Sequence, residues 1–438
     1  MNDKGKEREH ELTDLLIRIF GCECVYHSPQ MKKTNRQQKE LADILILVPP
    51  YAVVFQLKWL HQTAEDFHGA NQEIERGRLE QKMAKAAKQF NRLHATWRLD
   101  SKIELPQVWN DRKNTFVLDL SLIKVFIPVV VIDFEDQQYA TPDARTNVSP
   151  VVTKVPDVIN DWGMVHCFLL KDFSIILDDL FTPGDLITYL LLRERQIKER
   201  QKFLAYSELD FFALYLTRYH EWNRSENAPM LFVAPNYYET IIGNHANDFT
   251  KRRMFFRKTD FFDEIIMWLC MNSQNMPIED FLLNLGRIKG LPALLKKSIA
   301  EQINANIVKL ANRKVNTTTQ ISIGRFSAVV FPHTLYLISV VLCEPEYVET
   351  VKDYLYLRAL SYVVEKEWQA EVQDVFMIIL GLPNRWVFVG NRVININDYG
   401  LCLTAEEIEK SRVSYDVELF EESEWSYLKR MCGDSSNE

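Results

Sequence analysis

Between Glu40 and Lys58 the chain is almost entirely apolar, and three of the exceptions, Asp43, Gln56 and Lys58, have complementary chemistry. A carboxylate and an amide carbonyl are hard oxygen donors of the kind Mg²⁺ (or Mn²⁺) accepts, with waters completing the shell. A divalent ion held there would acidify a water and offset charge on a pentavalent phosphate. A lysine beside it can hold or deprotonate the attacking water, or neutralise a phosphate oxygen. The residue types therefore point to phosphate chemistry.

For that chemistry the three must converge, and the local pattern says that they do. Pro49 and Pro50 cannot sit inside a ladder, so the chain turns there, between strands Glu40 to Val48 and Ala52 to Trp59. Facing residues then have numbers summing to about 99, which sets Asp43 opposite Gln56. Side chains alternate, so Gln56 and Lys58 share a face while Phe55 and Leu57 take the other. A slip of one residue would aim Asp43 away. Upstream, a helix from Glu7 to Phe20 has its apolar stripe at Leu12, Leu15, Leu16 and Ile19 and closes at Gly21. Glu11, at the edge of that stripe, is the candidate for a second carboxylate.

A lysine-rich helix follows, roughly Gln72 to Leu93, with a buried stripe at Leu79, Met83, Ala86, Phe90 and Leu93. A second stripe, Arg78, Lys82, Lys85, Gln89 and Arg92, is basic except for Gln89 and is placed to contact phosphates without reading sequence. The bland alternative is a solvated helix face. Lys32, Lys33, Arg36 and Lys39 stand before Asp43 with the same two readings.

Helix with Glu11 and Gly21, strand with Asp43, short turn, strand ending Gln56-x-Lys58: this order resembles the PD-(D/E)XK nucleases, whose core is restriction-endonuclease-like. With Gln in the second acidic position it is similar to the Mrr-type and nuclease-related-domain branches. The resemblance covers roughly residues 5–135. It implies an α/β fold with a mixed sheet flanked by helices, and Mg²⁺-dependent hydrolysis of phosphodiester bonds in DNA, in antiviral defence or DNA processing. It also implies that Asp43, Gln56 and Glu11 surround the metal, that Lys58 works at the water or phosphate, and that the following helix lends polar residues to the site, Lys85 and Gln89 being the candidates. The basic stripe, by its charge, makes Lys82, Lys85, Gln89 and Arg92 the residues expected to meet the nucleic acid.

Composition narrows the alternatives. The chain has 438 residues, 47% hydrophobic and 26% charged, a globular balance with room for two or three domains. Only 14 glycines occur, and no G-x-x-x-x-G-K-[ST] or G-x-G-x-x-G, which removes the usual ATPase and dehydrogenase readings. H-E-x-x-H and G-x-S-x-G are missing too. Seven scattered cysteines without a C-x-x-C pair read as reduced, structural thiols. Apolar runs are strand-length, far short of the ~20 residues a membrane span needs, so a soluble cytoplasmic protein is expected. Net charge is −8, yet residues 1–100 carry 16 Lys and Arg against 14 Asp and Glu. Nucleic acid would thus be met at that end.

The expected organisation is a nuclease-like domain over 1–180, a mostly helical region over 181–315 and a small α+β domain over 316–438. The C-terminal half is the expected surface for oligomerisation or a protein partner. Two competing readings remain: a lapsed nuclease fold that binds or scaffolds nucleic acid, and an interaction protein whose hairpin charges are incidental.

Overall fold

The computed structural model describes residues 3–32, 38–40, 42–60, 81–82, 85–86, 88–91, 93, 102–106, 109, 115–134, 164–199, 202–205, 207–222, 230–233, 236–258, 261–311, 322–330, 333–370, 372–382, 386–394 and part of 401–407. Arg78, Leu79, Met83, Arg92 and the connection 135–157 lie outside them. The chain forms two compact units, Met1–Thr259 with Met267–Ala293, and Asp260–Ile266 with Leu294–Glu438.

The first unit is built on a five-stranded mixed sheet flanked by helices. Its strands are β1 (Val25–His27), β4 (Ile44–Val48), β5 (Tyr51–Leu60), β8 (Val125–Phe134) and β9 (His166–Leu169), in that spatial order. The first three are antiparallel, and β5, β8 and β9 run parallel. The β4–β5 register pairs Ile44 with Phe55 and Val48 with Tyr51, so the 99 rule derived from the two prolines holds. Two small hairpins stand outside this sheet, β2 (Gln30–Lys32) with β3 (Gln38–Glu40) and β6 (Lys102–Pro106) with β7 (Thr115–Asp119), as does the parallel pair β10 (Lys202–Ala205) with β11 (Met230–Val233).

Helix α1 (Asp3–Phe20) ends at Gly21, whose φ of +91° suits glycine and whose N–H reaches the Ile17 carbonyl. Its Leu12, Leu16 and Phe20 share one core with Ile44, Ile46, Phe55 and Leu57. Helices α2 (Leu170–Leu177), α3 (Pro183–Glu199) and α4 (Glu208–Trp222) join that core through Phe173, Leu186, Tyr189, Leu209 and Phe212. The segment expected to form a separate helical region is thus divided, because α3 and α4 bury their apolar faces in the sheet's core. At the start of α3, Thr182 caps the Asp185 N–H, and Asp185 accepts in return from the Thr182 and Phe181 N–H groups.

Helix α8 (Ile278–Lys289) covers the turn of the site hairpin; α5, α6 and α7 (Tyr237–Asn244, Ala246–Phe256 and Phe261–Asn272) precede it. At Gly286 the two backbones touch, since a Cβ there would lie 2.4 Å from the Pro49 carbonyl oxygen. Lys289 donates to the Phe20 carbonyl at 2.7 Å and pairs with Glu23. Gly286→Ala should therefore lower stability by about 1–3 kcal/mol, because neither backbone can give way cheaply. Chemical denaturation of the folded chain measures it.

The second unit has a strand–strand–helix–strand–strand order, an α+β arrangement. Strands β12 (Ser322–Val330), β13 (Thr334–Leu342), β14 (Asp374–Leu382) and β15 (Trp386–Val393) lie side by side in chain order. The central pair is parallel, joined through α10 (Val348–Glu365), and the outer pairs are antiparallel. Helix α9 (Ala293–Ala311) leads into this unit. Among the described residues no helix is long and apolar enough to cross a membrane.

Candidate active site

Asp43 sits one residue before β4, where its N–H reaches the Phe55 carbonyl at 3.2 Å and continues the ladder. Its carboxylate turns back onto β5 and accepts the Leu57 N–H at 2.5 Å. Ile44, Ile46, Val53, Phe55 and Leu57 belong to the core on one face. Alternation places Gln56 and Lys58 on the other face.

There the Lys58 ammonium donates to Gln56 Oε1 at 2.9 Å and stands 4.0 Å from Asp43 Oδ2. The Lys58 and Asp43 side chains are only 14% and 13% exposed. The three groups picked from sequence are thus brought together, in a nearly closed setting at the end of the hairpin.

The electrostatics are uneven. Burial pushes the Lys58 pKa down, and the Asp43 carboxylate raises it only in part. Lys85 and Lys82 push it lower, while Glu9 pulls it up. Lys58 is therefore a cation held at some cost beside two more, which is the field a phosphate would relieve.

Glu11 stands elsewhere. It is 52% exposed and its carboxylate pairs with the Arg8 guanidinium. The carboxylate of α1 that Lys58 feels is Glu9. A signal for this is present in the sequence: Glu9, Thr13, Leu16 and Phe20 form one helical line, and Thr13, Leu16 and Phe20 are buried. Glu11 instead continues through Leu15 to the exposed Arg18. Glu9→Gln is expected to lower the Lys58 pKa further, because it removes a charge that raises it, and Glu11→Gln to leave it nearly unchanged; NMR titration of Lys58 in the two variants compares them.

Described residues between 81 and 93 are helical, with Ala86, Phe90 and Leu93 buried and Lys82, Lys85 and Gln89 exposed. The Lys82 ammonium donates to the Trp59 carbonyl at 3.1 Å, a contact the sequence did not suggest.

Among the described residues no group of three or more His, Cys, Asp or Glu converges as a metal cage. The donors at the hairpin end are instead the Asp43 carboxylate and the Gln56 amide oxygen. A carboxylate has about four lone-pair positions, of which the Leu57 N–H uses one. Both donors are oxygen and both lie beside the Lys58 ammonium, so in chemical type they suit a hard divalent cation that keeps most of its waters.

Compared with models of protein families, with curated proteins and with solved structures, the chain matches none of them.

Proposed function

We propose that this chain is a metal-dependent nuclease that hydrolyses phosphodiester bonds of DNA, on a restriction-endonuclease-like core. The observation that carries the reading is the convergence of Asp43, Gln56 and Lys58 at one buried hairpin end, with Lys58 2.9 Å from the Gln56 oxygen and 4.0 Å from Asp43. The element order supports it: helix, antiparallel β1–β4–β5, the 81–93 helical segment, then β8 parallel to β5. Mg²⁺ or Mn²⁺ would be held by Asp43 and Gln56, and when bound supplies an acidified water and Lewis-acid polarisation of the phosphate.

The chain's own groups do the rest. Gln56 holds the Lys58 ammonium without adding a negative charge beside it. Lys58, carrying three N–H donors, offers the remaining ones to a phosphate oxygen, whose charge grows in the transition state. Asp43 is fixed by the Leu57 amide, so the donor does not have to be ordered during reaction. Lys85, exposed beside Lys58, steers the substrate backbone in.

The test is a plasmid and oligonucleotide cleavage assay with Mg²⁺ or Mn²⁺. Wild-type protein should nick DNA only with metal, and Asp43→Asn should reduce the rate by about 10²–10³. DNA binding without cleavage in any metal would favour the lapsed-nuclease reading instead.

A further inference from the structure

Trp59, the residue after Lys58, is gripped from two helices. From α1, the Arg8 guanidinium lies over its indole, 6.0 Å from the ring centroid. Arg8 is itself held by two acids: Asp133 Oδ2 lies 3.3 Å from its Nε, and Glu11 takes its Nη1. Asp133 is buried on β8 directly opposite Trp59, so this anchor is part of the sheet. From the 81–93 segment, Lys82 takes the Trp59 carbonyl at 3.1 Å.

These contacts join the two helices that bring Glu9 and Lys85 toward Lys58 to a single residue of β5. An arginine paired with the buried Asp133 of the sheet and laid over a ring has less rotational freedom than a free surface side chain. Such a hold suits setting an angle better than meeting a mobile substrate. Lys82 likewise spends a donor on the backbone, whereas Lys85 has no such tie.

We propose that Arg8 and Lys82 are positioning residues that clamp Trp59 from the two helices, keeping the Asp43–Leu57 and Gln56–Lys58 contacts in register without touching the substrate. The proposal rests on the nuclease reading for its consequence in turnover, but the clamp itself is measurable without it. The Leu57 N–H, bonded to the Asp43 carboxylate, reports the site's geometry.

Hydrogen exchange of the full chain, resolved at the Leu57 amide, is compared among wild type, Arg8→Met, Lys82→Met and Lys85→Met. Exchange at Leu57 should quicken by about tenfold in the first two variants and stay unchanged in Lys85→Met. In DNA binding, Lys85→Met should reduce the slope of log K against log salt by about one, and Lys82→Met should leave it unchanged. In the cleavage assay, Arg8→Met and Lys82→Met should lower kcat with KM held, and Arg8→Lys should recover part of the loss.

Unchanged Leu57 exchange in both clamp variants overturns the proposal, as does a salt slope that falls in Lys82→Met as it does in Lys85→Met. Wild-type protein that never cleaves DNA removes the nuclease reading, while the exchange measurement still decides the clamp.

Discussion

Lys58→Met should abolish cleavage, by about 10³-fold or more, while leaving the fold as stable as before or slightly more so. The two halves of that result come from one cause. Lys58 is desolvated, and neither Asp43 at 4.0 Å nor Gln56 restores its pKa to the ordinary lysine value. The folded protein therefore binds this proton less tightly than the unfolded chain does. Below the lowered folded value both states are protonated, and the cost of the buried charge is fully present. As pH rises past the lowered folded value toward the usual ~10.4, the unfolded chain holds more protons, and the Lys58 contribution to stability increases. Lys58→Met should lack that alkaline gain. Thermal melts from neutral to alkaline pH, set beside cleavage rates, measure both. A melting temperature several degrees lower in Lys58→Met at neutral pH would instead identify Lys58 and Asp43 as a structural ion pair.

The largest stability effect is expected far from this site. Arg193 is fully buried on α3, and Glu208 of α4 meets it with two bonds, Nε to Oε1 and Nη2 to Oε2, both 2.8 Å. Tyr189 donates to the same carboxylate, and His166 of β9 lies 3.4 Å from Arg193 Nη1. Burial opposes the guanidinium's charge, yet the Glu208 carboxylate more than offsets it and leaves the pKa raised. Glu208→Ala would strand that cation in the core and should cost about 3–5 kcal/mol. The double variant Arg193→Met/Glu208→Leu, which removes both charges, should recover much of the loss. Denaturant melts of the three proteins provide the comparison. A Glu208→Ala loss below about 1 kcal/mol would mean that the pair is solvated in solution.

The parts of this molecule legible in sequence are those set by local rules. Two prolines and a period of two were enough to set the β4–β5 register, with Ile44 facing Phe55 and Val48 facing Tyr51. The α+β character of the second unit was readable as well, and its β12–β15 sheet and single long helix agree with it. The Glu11 assignment followed the edge of an apolar stripe, while the helix turns Glu9 toward Lys58 and leaves Glu11 with Arg8. Lys82 read as one of a row of basic residues, since nothing local says that its ammonium meets a carbonyl 23 positions earlier. The division of the helical middle is a long-range matter too. It depends on contacts such as the Thr182 hydroxyl with the Leu291 carbonyl, 109 positions apart.

The seat of α8 on the Pro49 turn bears on how the chain can be cut. Every residue of the candidate site lies before position 100, which invites expression of a short fragment ending near 180. Such a fragment would lose Gly286 from the Pro49 backbone and Lys289 from Phe20. The hairpin of the candidate site is in this sense finished by residues made some 240 positions later. Autonomy should begin only with pieces that reach at least Ala293, where the N–H closes onto Asp185.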